Sequence, residues 1–168
     1  MPVVLALVDP SQKGFLEGRS GSEHTTDINT FFYEGVEKKI DRLLFLLDTA
    51  KAFDSIDHDW IHVVLARLKF PPWLCFFVRG ALHDVKVSPF FGKGSTHLIN
   101  ILRGAKQGCP LSPLLFILSY DPLLHALSSI PNISLFGFAD DLAITKIEIN
   151  RWSSLLLIPL STGPLGWA

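Results

Sequence analysis

Two adjacent carboxylates, Asp140 and Asp141, interrupt an otherwise apolar stretch at residues 135–144 (LFGFADDLAI). An unpaired carboxylate is costly to bury, and two neighbouring carboxylates also repel each other. The stretch therefore predicts one of two arrangements. Either it is an exposed hairpin turn between short strands at 134–138 and 142–145, or a bound cation neutralises the acids.

A second apolar run, at 43–47 (LLFLL), also ends in an acid, Asp48. Its length and polar boundaries are typical of a buried strand. If this strand lies in the same sheet as the hairpin, Asp48, Asp140 and Asp141 can converge at one edge. Converging carboxylates need a counter-charge, and two Mg²⁺ ions would supply it while clamping the attacking and leaving oxygens of a phosphoryl transfer. Mg²⁺ prefers one or two carboxylates plus substrate phosphates, so a nucleotide would complete such a site.

Amphipathic patterns predict four helices, at about 24–38, 58–69, 72–83 and 112–127. Asp57 is the expected N-cap of the second helix, and Ser112 is the expected N-cap of the fourth, with Pro113 in its first turn. Pro122 is expected to kink or split that fourth helix. Residues 85–102 predict a hairpin with its tip at 92–94.

A glycine-bearing loop precedes the fourth helix, at 103–110 (RGAKQGCP). Gly104 and Gly108 permit close approach of the backbone to a ligand, and Arg103 and Lys106 bring positive charge. A loop of this kind at the start of a helix is a suitable cradle for anions or bases.

Composition limits the remaining choices. The chain has 168 residues, of which 48% are hydrophobic and 18% charged, which predicts one domain with a real core. Two cysteines are too few for a disulfide framework and suggest a reducing compartment. Short apolar runs argue against a transmembrane helix, and the N-terminal residues lack the basic start of a signal peptide.

Charge is unevenly distributed along the sequence. Residues 41–59 contain five acids and two bases, whereas residues 69–106 contain six bases and one acid. This contrast suits a metal site beside a polyanion, although ordinary solvated surface charge is the simpler interpretation.

Four stretches resemble, in this order, the reverse transcriptases of the non-LTR retrotransposon type: 12–20 (QKGFLEGRS), 47–54 (LDTAKAFD), 106–113 (KQGCPLSP) and 138–141 (FADD). The resemblance covers about 12–145. It implies an α+β fold, a polymerase palm-like antiparallel sheet backed by helices, with part of the fingers and without the thumb. Residues 1–11 are uninformative, and 146–168 are expected to be a loosely attached or unstructured tail.

The resemblance also implies roles for individual residues. Asp48, Asp140 and Asp141 match the catalytic metal-binding acids, and Phe53 matches the aromatic beneath the incoming sugar, where bulk excludes a 2′-hydroxyl. The residues expected to contact nucleotide or template are Phe53, Lys51, Gln107, Gly108 and Arg19.

The implied reaction is RNA-directed DNA polymerisation assisted by two bound metal ions, which are expected to be Mg²⁺, with Mn²⁺ as a possible substitute. The implied partners are an RNA template, a DNA primer and deoxynucleoside triphosphates, without a membrane. The chain would be a fragment of a longer polyprotein. Because non-LTR elements are copied at chromosomal DNA, the resemblance also implies that the protein acts in the nucleus.

Two alternatives stay open. The chain can be a catalytically inactive remnant that at most binds nucleic acid, through the basic segment 69–106 and the aromatics Trp73, Phe76, Phe77, Phe90 and Phe91. For Phe76 and Phe77 a place in the core is the simpler interpretation. A zinc hydrolase is the remote alternative, since His58 and His62 lie four residues apart on a predicted helix. Asp59 is shorter than the glutamate that such a motif requires, and no third ligand is evident.

Overall fold

The computed structural model describes residues 2–88, 98–106 and 108–147. The helices in these residues are α1 (Pro2–Leu7), α2 (Gly21–Lys38), α3 (Ala52–Ser55), α4 (His58–Arg67), α5 (Pro72–Leu82) and α6 (Ser112–Ser128). The strands are β1 (Arg42–Leu47), β2 (Val85–Val87), β3 (Ile99–Ile101), β4 (Ile133–Phe138) and β5 (Asp141–Ile147). The mixture of helices with antiparallel strands confirms the predicted α+β class.

The main sheet has the order β1-β5-β4, and both pairings are antiparallel. β5 is central, and its inward residues Leu142 and Ile144 are buried in the core. The strand continues to Ile147, so the predicted tail cannot begin at 146; residues 148–168 lie outside the described part of the chain. On its outer side β4 forms a parallel bridge from Gly137 to Gln12, which covers part of the sheet edge.

Helix α6 backs the sheet and packs against α4. It runs unbroken through Pro122, so the expected split is wrong. The proline lacks the N–H that would bond four residues back, and the helix tolerates this single loss within its buried surroundings. The expected cap is also wrong, because Leu111 occupies the N-cap position. Ser112 lies one residue inside the helix, where its hydroxyl donates to the Lys106 carbonyl at 2.7 Å.

Strands β2 and β3 form the predicted hairpin, whereas its tip at 92–94 lies outside the described residues. Helix α5 leaves its aromatic side chains in solvent: Trp73 is 68% exposed, Phe76 72% and Phe77 62%. A core position for Phe76 and Phe77 is therefore wrong. No helix in the described residues is long and apolar enough to cross a membrane.

The N-terminal segment is joined to α6 by two buried acids. The Asp9 backbone N–H donates to Asp121 Oδ1 at 2.7 Å, and the exposed His125 ring lies 3.5 Å from Asp9 Oδ2 and 3.2 Å from Asp121 Oδ2. Burial alone would raise the pKa of Asp9, but hydrogen bonds from Ser11 and Ser128 hold it below its usual value. Burial raises the pKa of Asp121 in spite of its hydrogen bond and the nearby imidazole.

These opposite shifts predict different effects of the same substitution on the free energy of unfolding. Asp9→Asn should lower the free energy of unfolding by about 1–3 kcal/mol, because the Ser11 N–H and the Ser128 hydroxyl donate to different oxygens of this carboxylate and an amide has only one. Asp121→Asn should cause no loss near neutral pH, since it keeps the acceptor for the Asp9 N–H and removes a buried charge.

The pH dependence follows from the direction of each shift. The stability supplied by Asp9 is present above the usual carboxyl pKa and is lost as the pH falls through the lowered folded pKa. The raised pKa of Asp121 acts in the other direction, so the wild type loses stability as the pH rises through it. Urea unfolding over about pH 4 to 8 should show the Asp121→Asn variant gaining on the wild type with rising pH. A variant less stable than the wild type throughout would contradict this assignment.

Candidate active site

The predicted acids lie at one end of the main sheet. Leu47, the last residue of β1, pairs with Leu142 of β5, so the same register extended by one residue sets Asp48 across from Asp141. Both acids are exposed and line one cavity of about 380 Å³. Asp140 occupies the two-residue turn between β4 and β5 and is half-buried. The sheet therefore brings the two acidic motifs together, as the strand pattern predicted.

Thr49 and Tyr120 lie beside the turn. The Thr49 hydroxyl is 3.4 Å from the Tyr120 hydroxyl and 3.4 Å from the Asp140 carbonyl oxygen. Burial raises the pKa of Tyr120, and the negative charges of Asp140 and Asp141 raise it further. Tyr120 therefore stays a neutral phenol next to the acids, and it is 5% exposed.

The donors at this edge are carboxylate oxygens, which are the ligands that Mg²⁺ prefers. Within residues 2–88, 98–106 and 108–147, no three His, Cys, Asp or Glu side chains lie close enough together to hold a metal ion. The pair Asp48 and Asp141 fits the usual Mg²⁺ requirement of one or two protein carboxylates completed by substrate oxygens. Joint ligation by all three acids stays a prediction.

An aromatic stack leads from the core to the surface near the acids. The Phe53 ring stacks on Phe116 at 4.6 Å between centroids, and Phe116 stacks on Tyr120 at 5.5 Å. Phe15 also packs edge-on against Phe53, at 6.1 Å between ring centroids. Phe53 is half-buried, so one part of its ring is fixed by packing while another part is accessible.

The glycine-bearing loop is attached to α3, next to this stack. The Ala105 N–H donates to the Phe53 carbonyl at 2.8 Å, and the Gly104 N–H donates to the Ile56 carbonyl at 2.7 Å. Gly104 has a φ of +91°, and an added Cβ would lie 2.8 Å from Asp54 Cα. Only glycine fits there, so Gly104 sets the close contact between loop and helix.

The remaining predicted nucleotide contacts differ in their surroundings. Gly108 is exposed with a φ of +82°, and an added Cβ would meet no atom within 4 Å. Lys51 is exposed at the start of α3, with a φ of +51°. Gln107 lies outside the described residues.

Arg19 has a structural role in this chain. Its guanidinium donates to four backbone carbonyls, those of Leu5, Val8, Asp9 and Gln12, at 2.7–3.1 Å. Four of its five N–H groups are thereby used within the protein. A contact from Arg19 to a nucleotide phosphate is not supported by this geometry.

The sequence matches the family model described as "Reverse transcriptase (RNA-dependent DNA polymerase)" over residues 2–157. The chain belongs to this family. Curated relatives confirm the resemblance to the non-LTR retrotransposon type. One is a "Retrovirus-related Pol polyprotein from type-1 retrotransposable element R2" of Popillia japonica, 34% identical over 147 residues, which are 82% of this chain and 21% of the relative.

Two further relatives of this chain support the same family assignment. A polyprotein of the same description from Nasonia vitripennis is 30% identical over 145 residues, covering 82% of this chain and 14% of the relative. A "Retrovirus-related Pol polyprotein from type-2 retrotransposable element R2DM" of Drosophila melanogaster is 31% identical over 145 residues, covering 81% and 14%. The chain thus spans about a fifth or less of the length of these relatives.

The fold of this chain is also similar to a solved structure. "Structure of apo telomerase from Candida Tropicalis truncated from C-terminal domain" matches with a TM-score of 0.69 at 15% identity, over 92% of this chain and 34% of the telomerase chain. At this identity the likeness concerns the fold, and it agrees with the predicted palm-like sheet.

The zinc hydrolase alternative has no structural support. His58 Nε2 is 2.9 Å from the Gly104 carbonyl oxygen, a partner that helps to fix the loop to α4. His62 lines a different cavity of about 380 Å³ together with His58, Arg79 and His83. The described residues offer no third ligand at zinc-binding distance.

Several residues of the site were missed by sequence reasoning. Thr49 directly follows Asp48 and could have been noticed, but nothing local singles out Tyr120. Gln12 was quoted only as part of a motif, yet it is 0% exposed and bonds to Ala139, which is 127 residues away. His24 lies near the same turn, where its Nε2 is 2.9 Å from the Ser11 carbonyl oxygen and 3.2 Å from that of Gly137.

Proposed function

We propose that this reverse transcriptase segment adds deoxynucleotides to a primer 3′-hydroxyl on an RNA template, as part of an R2-type non-LTR retrotransposon polyprotein. The observation that carries the proposal is the pairing of Leu47 with Leu142, the residues adjacent to Asp48 and Asp141, in one antiparallel sheet. Two acidic motifs far apart in the sequence meet at one exposed edge. If Asp140 and Asp141 only formed an exposed hairpin turn, there would be no reason for the first acidic motif to lie beside them.

The site residues would hold two divalent cations, Mg²⁺ or Mn²⁺, through Asp48, Asp140 and Asp141. Bound there, such ions neutralise the acids and stabilise the attacking and leaving oxygens of nucleotidyl transfer. The carboxylates lie at the end of a strand and in a tight turn, and such rigid elements hold charges in fixed positions. Thr49 and Tyr120 hydrogen-bond beside Asp140, which limits the freedom of the turn.

The nucleotide would lie between these acids and the glycine-bearing loop. Phe53 packs against Phe116 on one side, and its accessible part would sit beneath the sugar and exclude a 2′-hydroxyl. Lys51 and Lys106 are both exposed near Phe53 and would attract phosphates. Gly108 offers backbone without a side chain in the same loop. Arg19 is left out of the proposed nucleotide site because backbone carbonyls occupy it.

The test is primer extension with the purified chain, an RNA template, a DNA primer and deoxynucleoside triphosphates. We expect incorporation that requires Mg²⁺ or Mn²⁺, stops on addition of a chelator and requires the template. Circular dichroism establishes that the chain is folded under the assay conditions. A folded chain without metal-dependent incorporation would overturn the proposed activity.

The second candidate function is nucleic-acid binding without catalysis. The exposed rings of Trp73, Phe76 and Phe77 on α5 favour it, because exposed aromatics can stack on unpaired bases. The same preparation decides between the two candidates. Salt-sensitive binding of a primer–template without incorporation would identify a binding remnant, whereas incorporation would establish the polymerase.

A further inference from the structure

The turn that carries Asp140 has an unusual backbone at Ala139. This residue is 6% exposed and has a φ of +58°, in the left-handed region that glycine, asparagine or aspartate usually occupies in hairpin turns. A side chain with a Cβ disfavours this conformation. The turn therefore needs support from its surroundings to hold one geometry.

The support comes from the side chain of Gln12. Its Nε2 donates to the Ala139 carbonyl at 3.0 Å, and its Oε1 accepts from the Ala139 N–H at 2.8 Å. The same Oε1 accepts from the Gly14 N–H at 2.8 Å. One fully buried amide thus binds both backbone polar groups of the residue that precedes the paired acids. Within an apolar site such hydrogen bonds are costly to remove.

The backbone around Gln12 is itself fixed. The Lys13 N–H donates to the Gly137 carbonyl at 2.8 Å, and the Gly137 N–H donates to the Ser11 carbonyl at 2.9 Å. On its other side the Gln12 carbonyl accepts from the Arg19 guanidinium at 2.7 Å. The amide therefore projects from a segment that is bonded to β4 and to Arg19.

Gly14 allows this segment to lie against the turn. A Cβ added at Gly14 would be 2.3 Å from the Ala139 nitrogen and 2.9 Å from its Cα. No side chain can occupy that space unless the turn or the segment moves. The 12–14 segment thus fits against Ala139 for two reasons: the Gln12 side chain hydrogen-bonds to Ala139, and Gly14 has no side chain that would collide with it.

We propose that Gln12 is a positioning residue, which holds Ala139 in its left-handed conformation and thereby sets where Asp140 and Asp141 present their carboxylates. This inference rests on the proposed function for its catalytic consequence. Gln12 touches no reacting group. It acts through the backbone of Ala139, and Gly14 provides the room for it to do so.

Two variants test the proposal from different directions. Gln12→Met keeps the length of the side chain and removes all three hydrogen bonds, whereas Gly14→Ala keeps the amide and displaces the turn. Gly80→Ala is the matched control for the second variant, since an added Cβ there meets no atom within 4 Å. Val78→Ala is the control for lost stability, because Val78 is 1% exposed and lies in α5, away from the acidic motifs.

The first readout is amide hydrogen exchange over residues 137–142, which does not depend on activity. We expect exchange there to rise about tenfold or more in Gln12→Met and Gly14→Ala relative to Val78→Ala, while α4 and α5 of these two variants exchange as in the wild type. The second readout is primer extension, in which kcat should fall about 10–100-fold while the KM for the nucleotide stays within about twofold. Gly80→Ala should match the wild type in both.

The outcomes separate this inference from the proposed function. Exchange over 137–142 that is no faster in Gln12→Met than in Val78→Ala would overturn the positioning role. A loss of kcat no larger than that of Val78→Ala would overturn it as well. If the folded wild type incorporates no nucleotide, the proposed polymerase activity fails, and the exchange comparison still decides whether Gln12 holds the turn.

Discussion

Asp140→Asn should reduce RNA-templated incorporation of deoxynucleotides at least about a thousandfold, because metal-assisted stabilisation of a transferring phosphoryl group is worth several kcal/mol. The amide keeps the size of the side chain and loses the charge that would hold a divalent cation. Asp48→Asn should have an effect of the same order, since both acids lie at the same end of the sheet.

The loss of activity should come without a loss of stability. Without a bound cation, the charges at this edge repel one another, so removing one of them should keep or raise the melting temperature. The pKa of Tyr120 should also fall towards its usual value, because the charge of Asp140 is one cause that raises it. Primer extension, thermal unfolding and a spectroscopic titration of tyrosine measure the three effects.

Asp41→Asn is the matched control for Asp140→Asn. Asp41 is exposed and immediately precedes β1, roughly 20 Å along the strand from Asp48. It should keep the activity of the wild type. Incorporation by Asp140→Asn within about tenfold of the wild type would rule out a catalytic role for this carboxylate.

Local patterns were sufficient for most of the elements. The apolar runs that end in acids predicted β1 and the β4–β5 hairpin, and the amphipathic spacing predicted α4 and α5 to within two residues. They failed where tertiary contacts decide burial. The apolar Val36 of α2 is 80% exposed, whereas the polar His24 of the same helix is buried at 8%. The ring of His24 packs edge-on against Phe136 at 5.3 Å, a contact that no periodicity encodes.

The site was predictable only in part, for a related reason. The meeting of Asp48 with Asp141 follows from strand order, which a pattern of apolar runs can suggest. The bonds from Gln12 to Ala139 and from Arg19 to four carbonyls depend on how separate segments dock. A motif shared with a family marks such residues as a group, but it does not separate those that touch substrate from those that hold the backbone.

Phe116→Ala should lower the free energy of unfolding by about 3–5 kcal/mol, a large part of the 5–15 kcal/mol that typically stabilises a domain. Phe116 is 1% exposed and is the middle ring of the stack, at 4.6 Å from Phe53 and 5.5 Å from Tyr120. Its removal leaves a cavity and takes away the surface that fixes Phe53. We therefore also expect a variant that still folds to discriminate less against ribonucleotides, because the ring expected beneath the sugar would be free to move.

Phe76→Ala makes the same chemical change at a residue that is 72% exposed, and it should alter the free energy of unfolding by no more than about 0.5 kcal/mol. Urea unfolding of both variants, with the ratio of ribonucleotide to deoxynucleotide incorporation, measures both effects. Equal losses of stability in the two variants would contradict the buried stack. A destabilised Phe116→Ala chain with unchanged sugar discrimination would show that Phe53 does not depend on Phe116 for its position, and would separate the packing role of the stack from its expected role at the nucleotide.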